Sequence, residues 1–337
     1  MIDARDALAR IAGGQDLERG ETEDLFGQLM DGALSETLKA ALLIALRMKG
    51  EAVAEIAGAA AAMRRRVLAI PHRRVGVVDT CGTGGDGRAT FNISTAAAFV
   101  VAAAGVPVAK HGNRAVSSRS GSADVLAALG VEIEASPEAA AAALERVGIA
   151  FLFAPRLHPA MREVAPVRRE LGLRTIFNVL GPLTNPAGAR RQVVGVYAED
   201  LVERLALVLV DLGTDHALVV HGSDGLDEIT TTGATRVAEV RGGELHLATI
   251  APEGLGLARA TLEDLAGGTP EENARAMERI FAGETGPLAD VVAANAGAAL
   301  YVGGAAHGLR EGVERAREVL ASGAAAAKLE ELRSFRG

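Results

Sequence analysis

The chain has no tryptophan, one cysteine and only 3% aromatic residues among its 337 positions. A single cysteine excludes an intramolecular disulfide framework and fits a reducing compartment. With so few aromatic side chains, any core must be built mainly from Ala, Val and Leu, and the hydrophobic fraction of 49% is sufficient for one. The length fits one large domain or two of ordinary size.

Long apolar runs and a positive net charge are also missing. No run reaches the roughly 18–20 residues that a membrane-spanning helix needs. The first residues, Met-Ile-Asp-Ala-Arg, lack the charged-then-apolar layout of a signal peptide. The formal net charge of −8 disfavours general nucleic-acid binding, which depends on basic surface. We therefore expect a cytoplasmic protein with neither a membrane nor a nucleic-acid partner.

Apolar spacing divides the chain into two kinds of segment. Residues 1–70 show helical periodicity throughout, and Pro71 ends that block. From Val75 onward, short Val- and Ile-rich runs alternate with helical segments, which is typical of a mostly parallel sheet. The segment 159–190 interrupts the alternation and is expected to pack with the N-terminal helices. The sequence thus predicts a small all-helical domain (1–70, with 159–190 as a discontinuous part) and a large α/β domain (71–158 and 191–337) with a mostly parallel central sheet.

The predicted elements follow from this alternation. Strands are expected at 75–78, 106–109, 149–153, 192–196 and 217–220, with a hairpin of 235–240 and 244–249. Helices are expected at 94–104, 123–129, 137–147 and 201–212, and again from about residue 270. Ser136 and Pro137 form a favourable helix start, with a capping hydroxyl and a proline in the first turn.

A glycine-rich loop, Asp79-Thr-Cys-Gly-Thr-Gly-Gly-Asp-Gly87, follows the first predicted strand. Glycine lets backbone N–H groups approach an anion closely. The loop formally matches the dinucleotide-binding pattern G-x-G-x-x-G, but the next helix begins only near Ser94 and no acidic residue ends the second strand. A phosphate or pyrophosphate loop is favoured over a dinucleotide site or a plain turn. Just before the helix, Asn92-Ile-Ser-Thr95 fits a helix cap, an anion site at the positive end of the helix dipole, or both.

A basic, serine-rich block, Lys110-His-Gly-Asn-Arg-Ala-Val-Ser-Ser-Arg-Ser-Gly-Ser122, follows the second strand. Lysine is rare in this chain and occurs only at positions 39, 49, 110 and 328, so a lysine within a motif is informative. Open α/β sheets bind ligands at the carboxyl ends of their strands, where this block begins. Serine and glycine between basic residues suit phosphate oxygens. A solvated basic loop is the alternative.

An acidic pair, Asp227-Glu228, lies far downstream. Carboxylate oxygens are ligands that Mg²⁺ prefers, whereas a surface pair without a role is the alternative. Cys81 is interpreted as a small buried residue rather than a nucleophile. The seven histidines show no spacing typical of zinc ligands.

Together these motifs resemble the anthranilate phosphoribosyltransferases. The resemblance rests on residues 79–86, 91–95, 110–117, 120–126, 158–162, 167–168, 174–186 and 221–228, in the expected order along nearly the whole chain. It implies a fold like that of nucleoside phosphorylases and phosphoribosyltransferases, with phosphoribosyl pyrophosphate (PRPP) bound between the two domains. It also implies Mg²⁺ as cofactor, anthranilate as acceptor and a homodimer formed through the helical domain. Apolar residues on more than one side of the helix at 36–48, including Leu43 and Ile44, favour such a protein contact.

The resemblance also implies the site residues. Asn113 and Arg168 would contact anthranilate, His158 and Pro182 would line its path, and no residue would form a covalent bond. Ser94, Asp227 and Glu228 would hold Mg²⁺. The full set of substrate-binding residues is Gly82, Gly85, Asp86, Thr90, Asn92, Ser94, Thr95, Lys110, His111, Gly112, Asn113, Arg114, Ala115, Val116, Ser117, Ser118, Ser122, His158, Arg168 and Pro182.

Two related activities remain as alternatives. Pyrimidine nucleoside phosphorylases share the fold, so the fold alone does not decide the function. They lack the Lys-His-Gly-Asn block in this form and the paired Asp-Glu. A paralogous group binds nucleic acid, which the acidic net charge and the intact anthranilate motifs disfavour.

Overall fold

The N-terminal part of the protein is a bundle of helices, as the periodicity predicts. The computed structural model describes residues 2–115 and 119–337. Asp3 caps the first helix by accepting from the backbone N of Arg5 and Asp6, and Ser35 caps the third by accepting from Leu38 N. The bundle helices are α1 (Ala4–Ala12), α2 (Arg19–Met30), α3 (Glu36–Lys49) and α4 (Val53–Arg64).

A seven-stranded sheet forms the centre of the rest of the chain, in the order β3-β2-β1-β4-β5-β6-β7. Neighbouring strands from β3 to β5 in this order pair in parallel, and β6 and β7 add an antiparallel hairpin, so the predicted mostly parallel sheet is confirmed. The strands are β1 (Val78–Asp79), β2 (Val108–Gly112), β3 (Ile149–Phe153), β4 (Arg191–Gly195), β5 (His216–Gly222), β6 (Thr235–Arg241) and β7 (Glu244–Ile250).

Helices connect and cover the strands. Ser136 accepts from Ala139 N and Pro137 lies in the first turn of its helix, so that predicted helix start is confirmed. The remaining α-helices are α5 (Ile93–Ala103), α6 (Ser122–Ala128), α7 (Pro137–Arg146), α8 (Ala154–Leu157), α9 (Ala165–Leu171), α10 (Phe177–Leu180), α11 (Asp200–Asp211), α12 (Pro270–Phe281), α13 (Pro287–Val302), α14 (Leu309–Ala321) and α15 (Ala324–Ser334), with 3₁₀ helices at Pro159–Glu163, Gly181–Leu183 and Pro252–Leu255.

The apolar core lies on both faces of the sheet. Successive β4 residues divide between the faces, because Val193 packs with α5 and α13 while Val194 packs with α11 and the bundle helices. Val167 and Phe177, from the predicted discontinuous segment, belong to the same cluster as the bundle. That cluster also contains strand residues, so the helical part shares its core with the sheet.

One detail of the bundle and one of the sheet differ from expectation. Leu43 is fully buried rather than part of a leftover apolar face, because α3 packs against α1 and α9. Ile44 is half-buried. Strand β1 is short and begins only at Val78, and Val75 at the expected strand start is 90% exposed.

The order of the strands reverses beside β1. Its neighbours are β2 on one side and β4 on the other. Strands β2 and β3 therefore lie on one side of β1, and strands β4 to β7 lie on the other. Open α/β sheets bind ligands in the crevice at the carboxyl ends of such strands. Within the described residues, no helix is long and apolar enough to cross a membrane.

Candidate active site

The glycine-rich loop leaves β1 at the point where the strand order reverses. Thr83 N donates to Gly195 O at the end of β4 (2.8 Å), and Gly84 N donates to Asp227 Oδ2 (2.8 Å). Gly84 and Gly85 have φ values of +64° and +79°, which L side chains rarely adopt. The loop therefore joins the carboxyl ends of β1 and β4 to the acidic pair.

Gly195 makes the close approach of these segments possible. A Cβ at this position would lie 1.5 Å from the carbonyl oxygen of Asp227. Any side chain there would push the acidic pair away from the loop. Sequence reasoning missed Gly195, because no motif marks it.

Asp227 and Glu228 are half-buried and face the N-terminus of α5, where Glu228 Oε1 accepts from Ser94 N (3.2 Å). Burial, with nearby Asp86 as the next cause, raises the pKa of Asp227 to about 7. Burial and then Asp227 raise the pKa of Glu228 to about 8. Within the described residues neither carboxylate makes an ion pair with Lys or Arg. Two adjacent carboxylates that form no ion pair in the described part of the chain make a donor set that fits a hard divalent cation, although the charge of Lys110 lowers the pKa of Glu228.

Lys110 lies in the same cluster, and its side chain is only 4% exposed. Its Nζ donates to Thr80 O (3.2 Å), Thr80 Oγ1 (3.3 Å) and Ser94 Oγ (3.3 Å), all of which are neutral oxygens. No carboxylate in the described residues forms an ion pair with it. Its charge opposes the rise in pKa that burial causes at nearby Asp79 and Glu228, and because the ammonium forms no ion pair with either it can also bind an anion in the crevice.

A buried carboxylate, Asp79, holds the neighbouring elements in place. Its Oδ1 accepts from His111 N (3.2 Å) and its Oδ2 from Asn185 Nδ2 (2.7 Å). Burial raises the pKa of Asp79 to about 6, although nearby Lys110 lowers it. Asn185 thereby ties the turn after the 3₁₀ helix Gly181–Leu183 to the carboxyl end of β1, an interior strand of the sheet.

Asn92 does not cap α5 with its side chain, contrary to one of the expected roles. Its Nδ2 donates to Ser120 O (3.1 Å), and its Oδ1 accepts from Ser120 Oγ (3.0 Å) and Asn273 Nδ2 (2.8 Å). Thr95 is almost fully buried in α5, and Thr90 forms an isolated bridge with Ala266. The Asn92 side chain thus ties the start of α5 to the segment containing Ser120 and to α12.

Residues from both ends of the basic block after β2 form hydrogen bonds with one acidic residue, Asp124. Asp124 Oδ2 accepts from Ala115 N (2.8 Å) and Gly121 N (3.0 Å), and Asp124 Oδ1 accepts from Arg114 Nη1 (3.3 Å). Ser122 Oγ exchanges hydrogen bonds with the backbone of Asn113, and Gly112 ends β2 beside them. The predicted residues Val116, Ser117 and Ser118 lie outside the described residues.

Two buried histidines adjoin this block. His111 Nδ1 donates to Gly181 O (3.1 Å), so His111 Nε2 is the acceptor for the N–H of His158 Nε2 (3.1 Å). Burial lowers the pKa of His111 to about 4 and that of His158 to about 3, so both rings are neutral near pH 7. Pro182 lies next to Gly181, and its carbonyl accepts from Gln192 Nε2 (2.7 Å).

Arg168 lies on α9, half-buried, with its guanidinium carbon 5.5 Å from the centre of the Phe177 ring. Burial lowers the pKa of Arg168. Within the described residues it makes no hydrogen bond or ion pair with a carboxylate. A half-buried guanidinium without a counterion is suited to bind a ligand carboxylate in bidentate geometry.

Cys81 is half-buried rather than fully buried. Burial, with Asp79 as the next cause, raises the pKa of its thiol, so the thiolate needed of a nucleophile is disfavoured. This environment agrees with the interpretation that Cys81 is not a nucleophile, although the residue is less buried than expected.

Several supporting residues were not singled out from the sequence. Asp124, Arg174 and Asn185 lie inside the motif segments 120–126 and 174–186, so those segments contained a signal for them. The sequence contained no signal for Asn273, because this residue bonds to Asn92 although the two lie 181 residues apart in the chain.

Comparisons with known proteins agree with this arrangement. The family model described as "Glycosyl transferase family, a/b domain" matches residues 74–326, and "Glycosyl transferase family, helical bundle domain" matches residues 5–67. The anthranilate phosphoribosyltransferase of Symbiobacterium thermophilum is 55% identical over 97% of this chain and 96% of its own length.

Solved structures of the same enzyme superpose on the fold. The crystal structure of the Thermus thermophilus enzyme gives a TM-score of 0.93 at 51% identity and covers 98% of this chain and 99% of that one. The Saccharomyces cerevisiae enzyme in complex with PRPP and Mg gives a TM-score of 0.88 at 29% identity, covering 98% and 96%.

Proposed function

The chain belongs to the anthranilate phosphoribosyltransferase family, and on that premise we propose which of its residues bind PRPP, Mg²⁺ and anthranilate. The reaction transfers the phosphoribosyl group of PRPP to the amine of anthranilate in tryptophan biosynthesis and releases pyrophosphate. One observation supports the assignment above the others. Glu228 and Lys110 meet at Ser94, and Asp227 accepts from Gly84 N in the adjacent glycine-rich loop.

The pyrophosphate of PRPP would bind to the loop and to the N-terminus of α5. Gly82 and Gly85 would contribute close backbone approach, and the helix dipole at Ser94 and Thr95 favours negative charge. Lys110 would bind phosphate oxygens, since the hydrogen bonds that its Nζ makes within the described residues all go to neutral oxygens. The remaining PRPP contacts are assigned to Asp86, Thr90, Asn92 and the block from Lys110 to Ser122.

Ser94, Asp227 and Glu228 would hold the Mg²⁺. When bound, the ion would offset the negative charge that grows on pyrophosphate as its bond to C1 breaks. Asp227 and Glu228 also orient the loop without it, through the hydrogen bonds from Gly84 N and Ser94 N. The carboxylates therefore serve both the cation and the shape of the phosphate site.

Anthranilate would bind on the side of the crevice formed by α9 and the Gly181–Leu183 helix. Arg168 would pair with its carboxylate and Asn113 would orient its ring substituents. His158 and Pro182 would line its path, with the His158 tautomer fixed by His111. Because both histidines are neutral, they add no charge that would compete with Arg168 for the carboxylate.

The chemistry needs positioning and charge stabilisation rather than a covalent intermediate. The aniline nitrogen already carries a lone pair at neutral pH, and it forms the new bond to C1 while the bond from C1 to the pyrophosphate oxygen breaks. One amine proton is then released. The loop amides and Lys110 stabilise the leaving group, and the side chains around the crevice exclude water that would hydrolyse PRPP.

We also propose a cytoplasmic homodimer formed through the helical domain, taken as residues 1–70 with 159–190. Met48 on α3 is 82% exposed, which supports a contact surface there, although buried Leu43 does not contribute to it. The net charge of −8 supports a protein without a nucleic-acid partner.

One assay tests the activity. Anthranilate fluorescence should decay only when PRPP and Mg²⁺ are both present, and EDTA should stop the decay. Phosphate-dependent cleavage of a pyrimidine nucleoside, or salt-sensitive DNA binding without turnover, would replace the proposal by one of the alternatives.

A further inference from the structure

Arg174, between α9 and α10, contacts the glycine-rich loop from the helical side. Its guanidinium carbon lies 4.2 Å from the centre of the Tyr197 ring, and its Nη2 donates to Gly85 O. The side chain is exposed and makes no ion pair within the described residues. Neither Arg174 nor Tyr197 belongs to the substrate assignments made above, although Gly85 does.

The bond to Gly85 O determines where the next amide points. A trans peptide is planar, so its N–H points away from its C=O. Fixing the Gly85 carbonyl on Arg174 therefore directs the Asp86 N–H to the opposite side of the loop. Because Gly84 and Gly85 lack side chains, this stretch has few other restraints on its orientation.

Tyr197 supports both sides of the same loop. Its backbone N donates to Thr83 Oγ1 (3.1 Å), and its ring carries the guanidinium of Arg174. The first half of the loop is thus held by the end of β4, and the second half by Arg174.

The backbone of Arg174 is held in turn by the bundle. Its carbonyl accepts from Arg47 Nη1 at the end of α3. Arg174 also follows α9, the helix that carries Arg168, by three residues. One short segment therefore carries both the residue assigned to the anthranilate carboxylate and the residue that holds the phosphate loop.

We propose that Arg174 is a positioning residue that couples the pyrophosphate loop to the anthranilate side. An anion on the loop stabilises the loop geometry that Arg174 holds, which orders the segment carrying Arg168. Each substrate then raises the affinity for the other by the same factor, as thermodynamic linkage requires. This inference rests on the proposed function.

The test compares anthranilate binding without and with Mg²⁺ and inorganic pyrophosphate, which fills the loop but has no ribose and so permits no turnover. Isothermal titration calorimetry of the full chain gives both dissociation constants. In the wild type, pyrophosphate should tighten anthranilate by at least about fivefold. In Arg174→Ala the ratio should fall to about one, while Arg174→Lys, which keeps a donor but cannot stack flat, should be intermediate.

Matched variants separate the contacts. Tyr197→Phe retains the aromatic ring and should keep the coupling. Tyr197→Leu removes the ring and should lose the coupling, and this variant tests the same contact if Arg174→Ala does not fold. Arg169→Ala, which replaces an exposed arginine on α9, should bind as the wild type does. Thermal melting of each variant checks that it is folded.

Three results would overturn the inference. One is a wild-type ratio near one, and a second is an unchanged ratio in folded Arg174→Ala and Tyr197→Leu. The third is weaker pyrophosphate binding in Arg174→Ala with the ratio intact, which would make Arg174 a direct phosphate ligand. Failure of the wild type to bind anthranilate at all would instead contradict the proposed function.

Discussion

Replacing Arg168 by methionine isolates its charge from its packing. Arg168 is half-buried, stacks on Phe177 and has no carboxylate partner within the described residues, so a ligand carboxylate would be its counterion. Losing a charge-assisted hydrogen bond costs about 1.5–3 kcal/mol, which corresponds to a roughly 10–150-fold higher KM for anthranilate. The KM for PRPP should stay within about threefold, since the loop and Lys110 are untouched.

The stability of the same variant should change little. Burial already disfavours the charge of Arg168, so the neutral side chain relieves desolvation while losing the contact with Phe177. That contact is worth about 0.5–1 kcal/mol, and we expect a shift in melting temperature below about 3 °C. A fall in activity therefore cannot be attributed to unfolding.

The assay uses a second acceptor that lacks the carboxylate. Steady-state kinetics give kcat/KM for anthranilate and for aniline, and the ratio of the two values measures the preference for the carboxylate. This ratio should fall toward one in Arg168→Met and stay at the wild-type value in the neighbouring surface variant Arg169→Ala. If Arg168→Met raises the KM for PRPP instead, or leaves the preference for anthranilate intact, Arg168 does not bind the carboxylate.

Four further predictions concern the site and the bundle. Asp227→Asn combined with Glu228→Gln should abolish Mg²⁺-supported turnover while the fold survives; turnover within about threefold of wild type would contradict the metal role. Because the pKa values of these two groups are raised to about 7 and about 8, the Mg²⁺-free protein loses stability progressively as pH rises above the ordinary carboxyl pKa, and the loss is complete above about pH 8. Mg²⁺ should therefore raise the melting temperature more at pH 8 than at pH 5. The pKa values of His111 and His158 are lowered to about 4 and about 3, so these rings contribute stability above pH 6.5 that is lost as pH falls toward 4. His158→Gln should make the melting temperature fall less steeply between pH 6.5 and pH 4. An unchanged pH dependence of the melting temperature would refute the assignment. Sedimentation at micromolar concentration should give a mass near twice 34.6 kDa, and a clean monomer would exclude the dimer.

The strands could be located from the sequence because buried parallel strands are short Val- and Ile-rich runs. Strand β3 was predicted with its observed bounds, 149–153. The predicted start of β1 was wrong, because apolar residues alone do not show where a neighbouring strand is present to hydrogen-bond. Val78 pairs with Val108 and Arg191, whereas Val75 finds no neighbour and is exposed.

The residue types of the site could also be predicted, but their supports could not. Glycine, lysine and paired acids mark a phosphate site by their chemistry, and the structure brings Lys110, Ser94 and Glu228 together. The carboxamide of Asn92 illustrates the limit. Its partners come from a distant loop and from α12, so a local interpretation as a helix cap had no access to them.

The contact of Gly195 with Asp227 affects how the results of a mutational survey of this enzyme should be interpreted. Cells that depend on the chain to grow without tryptophan should tolerate almost no substitution at Gly195, because the Cβ of alanine already overlaps the Asp227 carbonyl. In such a survey Gly195 would score as severely as the two carboxylates, although it has no side chain to contribute to the reaction. Intolerance to substitution at this position records a steric fit, and chemical roles must be assigned by other means.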